Sequence, residues 1–126
     1  GAEIYGEVEN SVIGPGVFIG KGAVVRDSII MKEASIGAGC VIDRSIIAEN
    51  VKVGENVVTN VGEDVPNKLK PKVYSFGLTT IGEDSVIPAN VKIGKNTAIS
   101  GETTSEDYPD GVLESGETLI KEGDLA

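Results

Sequence analysis

The 126 residues predict an all-β chain, a single-stranded parallel β-helix built from hexapeptide repeats. Three observations predict it. The first is a long period. Ile19-Gly20, Ile36-Gly37 and Val53-Gly54 are 17 residues apart, and so are Ser11-Val12-Ile13, Ser28-Ile29-Ile30 and Ser45-Ile46-Ile47. Self-similarity of this length marks a solenoid. The second is a shorter period nested inside it. Ile13, Ile19, Val25, Ile30, Ile36, Ile42, Ile47 and Val53 follow one another in steps of six, six, five, six, six, five and six. The third is composition: 17 Gly, three Tyr, two Phe and no Trp. A narrow, uniform interior of Val, Ile and Ala suits strands better than a globular core built on aromatic volume.

Each hexad reads as one short strand and a turn. Two residues before each bulky aliphatic stands a smaller one: Ser11, Val17, Ala23, Ser28, Ala34, Cys40, Ser45 and Val51. Residues two apart on a strand share a face, so small and large members of each pair point inward together. Gly14, Gly20, Gly37 and Gly54 follow the bulky residue, where a glycine would permit the backbone of a tight corner. Stacked coils then cover one another's apolar faces.

The pattern resumes in strict sixes at Ile81, Ile87, Ile93 and Ile99, with Ser85, Val91 and Thr97 as the small members. Between the blocks, residues 60–80 lose it. Pro66 and Pro71 flank Lys68-Leu69-Lys70 there, and we read an insertion leaving the coil, since proline cannot donate to a ladder. Residues 101–126 read as a tail. Its stretch from Glu102 to Asp110 is expected to be solvated, and Val112-Leu113 and Leu119-Ile120 are expected to form closing strands. The whole of 1–126 is taken as one β-helix domain, a fragment of a longer chain.

The outer surface is read in columns 17 residues apart. Glu9, Arg26 and Asp43 form one column, and Asn10, Asp27 and Arg44 the next. Alternating charges on adjacent coils favour correct register. The competing reading is an anion site on Arg26 and Arg44. Just before each bulky residue the side chain points outward. Val12, Ile29 and Ile46 line one face, Val24, Val41 and Val58 a second, and Phe18, Ser35 and Lys52 the third. Contiguous exposed apolar surface marks an interface, so the first two stripes are the expected interface residues.

Composition excludes much chemistry. Histidine is absent, which removes imidazole from acid–base catalysis and from metal ligation. No catalytic, cofactor-binding or metal-binding residue is assigned. The formal net charge of −9 argues against nucleic acid and anionic membrane surfaces as partners. Gly14-Pro15-Gly16, Gly20-Lys21-Gly22 and Gly37-Ala38-Gly39 lack the following helix that a phosphate loop requires. The single cysteine, Cys40, takes an inward position and should be inert. One cysteine accords with a reducing compartment, and the expected location is cytoplasmic.

Hexads of the form Ile-Gly-x-Gly-x-Val resemble left-handed β-helix proteins, and the left hand is taken from that resemblance. The acyltransferases and the carbonic anhydrase of that fold use histidines this chain lacks. A narrower resemblance rests on Gly6-Glu7-Val8-Glu9-Asn10-Ser11-Val12-Ile13, Val25-Arg26-Asp27-Ser28-Ile29-Ile30-Met31, Arg44-Ser45-Ile46-Ile47-Ala48-Glu49-Asn50, and, beyond the insertion, Gly77-Leu78-Thr79-Thr80-Ile81-Gly82-Glu83-Asp84-Ser85-Val86-Ile87-Pro88. These runs are similar to the C-terminal domain of glucose-1-phosphate adenylyltransferases, also called ADP-glucose pyrophosphorylases.

The resemblance implies a parent enzyme that makes ADP-glucose and pyrophosphate from ATP and glucose 1-phosphate for glycogen or starch synthesis. It implies no cofactor in this fragment, and Mg²⁺ in an upstream nucleotide-binding domain. It further implies that the β-helix packs on its own catalytic domain and on sister subunits, supports a homotetramer and helps form an allosteric site. Two lysines that bind anionic activators in plant and cyanobacterial relatives correspond to Val58 and Glu83, neither of which attracts phosphate. The alternatives are the β-helix of another sugar nucleotidyltransferase, such as a mannose-1-phosphate guanylyltransferase, and a freestanding hexapeptide scaffold.

Overall fold

The computed structural model describes residues 2–63, 65–68 and 77–121. The strands fall into coils of three. The first coil holds β1 (Glu3–Ile4), β2 (Glu7–Glu9) and β3 (Val12–Ile13), and the second β4 (Phe18–Ile19), β5 (Val24–Arg26) and β6 (Ile29–Ile30). The third holds β7 (Ser35–Ile36), β8 (Val41–Asp43) and β9 (Ser45–Ile47), and the fourth β10 (Lys52–Val53), β11 (Val58–Val61) and β12 (Thr79–Ile81). The fifth holds β13 (Val86–Ile87), β14 (Lys92–Gly94) and β15 (Thr97–Gly101), and β16 (Val112–Leu113) and β17 (Thr118–Lys121) close the stack.

Every third strand pairs in parallel, giving three faces. Face 1 runs β1-β4-β7-β10-β13, face 2 runs β2-β5-β8-β11-β14-β16, and face 3 runs β3-β6-β9-β12-β15-β17. The 17-residue register is kept through the first coils, as in Val8↔Val25 and Val25↔Ile42. The chain is therefore a hexapeptide-repeat β-solenoid.

The expected inward pairs form the core. Val17, Ile19, Ala23, Val25, Ile30, Ala34, Ile36, Cys40, Ile42 and Ile47 are buried, and Ile81, Ile87, Val91, Ile93 and Ile99 continue the column. The interior also takes side chains that the aliphatic pattern passed over. Thr59, 17 residues after Ile42, is buried, and its hydroxyl meets that of Ser45 at 2.8 Å.

The corner glycines need a correction. Gly14, Gly20, Gly37 and Gly54 are absent from the positive-φ residues. Close stacking is what requires glycine there. A Cβ on Gly20 would meet the Ala38 nitrogen at 2.6 Å, and one on Gly37 the Gly54 oxygen at 2.6 Å. The left-handed turn residue stands two positions later. It is Gly16, Glu33, Asn50 and Asp84 at one corner, and Gly22, Gly39, Asn56 and Asn90 at the next. Asn and Asp tolerate that region better than other side chains, and Glu33 occupies it regardless.

The five-residue step is the short corner between faces 2 and 3. Asn10, Asp27 and Arg44 take positive φ there. The serines that follow do more than fill a small position. Ser28 Oγ donates to the Arg26 carbonyl at 2.7 Å and accepts from the Ser45 amide at 3.1 Å. Ser11 Oγ accepts from the Ser28 amide at 3.1 Å in the same way. A serine ladder thus replaces backbone bonds that the tight corner cannot make. The charge columns stand in register, Glu9↔Arg26↔Asp43. Among the described residues, however, Arg26 forms no ion pair with either carboxylate, and in the next column Asn10 Nδ2 donates to Asp27 Oδ1 at 2.6 Å.

The insertion leaves from this same short corner, between β11 and β12. Pro71 and the Leu69-Lys70 pair lie outside the described residues. The flanks are held by buried amides. Asn96 Nδ2 donates to the Val65 carbonyl at 2.8 Å, and its Oδ1 accepts the Gly77 amide at 2.8 Å. Asn60 donates to the Gly77 carbonyl. Asn67 donates to the Asn96 carbonyl at 2.8 Å. Beyond β15, Glu102 bridges to Val86 on face 1. Two 3-10 turns, Ser105–Asp107 and Pro109–Gly111, flank Tyr108. The reading of Glu102 to Asp110 as solvated is corrected here, because Thr103 and Tyr108 are buried. Tyr108 joins the aliphatic core at this end, and its hydroxyl is bonded to Thr103 Oγ1 at 2.8 Å.

Candidate functional site

Catalytic constellations are wanting among the described residues. Among the described residues no group of three His, Cys, Asp or Glu could hold a metal ion. Cys40 is buried, donates to the Gly54 carbonyl at 3.0 Å and accepts from the Val57 amide at 3.4 Å. Burial pushes its thiol pKa up, which suppresses the thiolate a nucleophile needs. Tyr108 is pushed up to about 12, chiefly by burial. It has no opening to a substrate.

The concavities are shallow. One of about 320 Å³ is lined by Val61, Glu63, Val65, Val112, Glu114 and Ser115. Another, of about 290 Å³, is lined by Tyr5, Glu7, Gly22 and Val24. Neither brings a nucleophile to a base. No described helix is long and apolar enough to cross a membrane.

The outer faces carry the remaining chemistry. On face 3 the register stacks Val12, Ile29 and Ile46, followed by Thr80 and Ala98. Val12 is 64% exposed and Ile29 40%, while Ile46 is half-buried. On face 2 the stack is Glu7, Val24, Val41, Val58, Lys92 and Val112. Its four valines are half-buried, and Glu7 and Lys92 are exposed. Both expected stripes are thus contiguous columns. Of the positions matched to activator lysines, Val58 lies mid-column on face 2, and Glu83 is exposed at the corner after β12.

Sequence columns missed a further apolar feature, on the first coil. Ile4 pairs in register with the buried Ile19, yet is 44% exposed among the described residues. Val8 and Ile13, inward residues of the same coil, are only partly covered. Tyr5 is 60% exposed and packs its ring on Phe18 with centroids 5.8 Å apart. Met31 is exposed as well. The signal was available, since Ile4 stands at the inward position that Ile19 takes one coil later.

Comparison with known proteins agrees with this architecture. A family model described as GlmU-like, C-terminal hexapeptide matches residues 1–77. A glucose-1-phosphate adenylyltransferase of Lachnospira eligens is 60% identical over 124 residues, covering 98% of this chain and 29% of the relative. That of Acetivibrio thermocellus is 44% identical over the same shares, and that of Thermotoga maritima 52% identical over 95% of this chain and 28% of the relative. The chain thus spans less than a third of the length of these relatives. It belongs to the GlmU-like C-terminal hexapeptide family.

Proposed function

We propose that this chain is the non-catalytic C-terminal domain of a glucose-1-phosphate adenylyltransferase, and that it works through its surfaces. The observation that carries the reading is similarity along 98% of the chain to proteins of that name, of which it covers only 29%. In this reading ATP and glucose 1-phosphate react in a domain that precedes the solenoid, with Mg²⁺ bound there. Sister subunits associate partly through the outer faces, and the assembled enzyme works in the cytoplasm.

The exposed apolar residues of the first two coils, Ile4, Tyr5, Val12, Ile29 and Met31, fit the preceding domain. Covering them removes apolar area from water at about 25 cal/mol per Å². The effector site differs from one built on lysines, because Val58 and Glu83 offer no cation. Activation by 3-phosphoglycerate is therefore expected to be absent or to act elsewhere.

The test is an assay of the complete polypeptide for pyrophosphate release. ATP with glucose 1-phosphate should be the productive pair. Preference for GTP with mannose 1-phosphate would overturn the assignment, as would a complete gene product lacking a nucleotide-binding domain.

A further inference from the structure

The corner between β16 and β17 is tied to a segment 49 to 51 residues earlier in the chain. Pro66, Asn67 and Lys68 lie across it. The Lys68 amide donates to the Gly116 carbonyl at 2.8 Å, and the Lys68 ammonium pairs with Glu117. Asn67 is buried. Its Nδ2 donates to Thr118 Oγ1 at 3.1 Å, and that hydroxyl donates back to Asn67 Oδ1 at 3.3 Å. A Cβ on Gly116 would meet the Pro66 oxygen at 2.6 Å. Glycine is what lets the two segments touch.

These bonds stand apart from the neck of the insertion. Asn67 reaches the backbone carbonyl of Asn96, whereas the Asn96 side chain holds Val65 and Gly77. They stand apart from the plug as well. The Thr103 amide and hydroxyl go to the Val86 carbonyl at 3.0 and 2.6 Å, and Tyr108 bonds Thr103.

The closing strands have little else to hold them. Leu113 is buried, but Val112 and Leu119 are only half-buried, and Ile120 is 47% exposed. The concavity of about 320 Å³ is lined by residues of both segments, Val61 and Val65 with Val112 and Ser115. Ile19, Ile36 and Ile42, by contrast, are fully buried. Polar bonds over a thin apolar contact mark a segment that opens before the rest of the fold.

We propose that residues 66–68 are a strap, and that the strap and β16–β17 open and close as one unit. The plug and the earlier coils stay closed when that unit opens. Coupling of this kind is reciprocal. A change in β17 is felt in the strap, and a change in the strap is felt equally in β17. The start of the insertion thereby governs how firmly the last strands are shut.

The test is amide hydrogen exchange on the complete polypeptide. Asn67→Ala should raise exchange about tenfold at the Lys68 amide, the size expected for loss of a buried hydrogen bond. The Ala98 and Gly116 amides, which bond the Glu117 and Lys95 carbonyls, should gain by the same factor. Thr118→Val keeps the side-chain shape and removes only the hydroxyl. It should likewise speed Lys68, Ala98 and Gly116 together. The Thr103 and Gly37 amides, bonded to Val86 and Val53, should not change in either variant. A gain confined to one of the two segments, a gain shared by Thr103 or Gly37, or no gain at all overturns the strap.

Discussion

The first and last coils of the described stack differ. In the first, Ile4 is exposed and Val8 and Ile13 are only partly buried, and Tyr5, Val12, Ile29 and Met31 on the first two coils are exposed. At the other end Tyr108 is 2% exposed, its hydroxyl bonded to Thr103, and β16 and β17 cover the last full coil. The interiors differ in the same sense. The first three coils enclose aliphatic side chains and one line of serines. Beyond them the buried set gains Thr59, Asn60, Asn67, Thr79, Asn96, Thr97 and Thr103. Among the described residues every buried side-chain polar atom has a partner. The dry half is shaped for repetition and outward contact. The wetter half is shaped to hold an insertion and to close the stack.

Substitutions break this comparison in a definite order. Ile36→Ala, in the dry half, should cost about 4 kcal/mol in urea unfolding, since narrow stacked coils collapse poorly around a cavity. Gly37→Ala comes next at about 3 kcal/mol, because its methyl would press on the Gly54 carbonyl of the next coil. Gly22→Ala sharpens the point. Nothing lies within 4 Å of its Cβ position, and only the φ of +77° resists it, so about 1 kcal/mol is expected. Equal losses at the two glycines would refute the distinction between close stacking and turn conformation.

In the wetter half, Asn96→Ala removes bonds to Val65 and Gly77 together. About 2 kcal/mol should be lost, and proteolysis within residues 68–77 should accelerate while cleavage elsewhere does not. The plug also responds to pH. Burial raises Tyr108 from 10.0 to about 12, so the fold favours the neutral phenol. The stability this provides is fully present below pH about 10 and is lost as pH rises through about 12. The difference in urea midpoint between wild type and Tyr108→Phe should narrow across that window, and should stay constant below it.

Much of this was legible in the residues. The period of 17, the inward pairs and the closing strands follow from side-chain alternation, a local property of each strand. The outer stripes were legible for the same reason, because the register is the period. The corners were less so. The glycine after each bulky residue looked like a turn former, but its requirement comes from the coil above, a contact 17 residues away. The insertion clamp was hidden because Asn60, Asn67 and Asn96 are polar residues in unpatterned or corner positions, where sequence reads solvent. Tyr108 was hidden by its acidic, proline-bearing surroundings.

The central claim is that the N-terminal coils act by being covered. Hydroxyl-radical footprinting of the complete polypeptide tests it most directly. Val12 is 64% exposed in this chain and Ile120 47%. Covered by the preceding domain, Val12, Ile29 and Met31 should be labelled several-fold less than Ile120, corrected for intrinsic reactivity. Labelling of Val12 above Ile120, in proportion to exposure, would contradict the account.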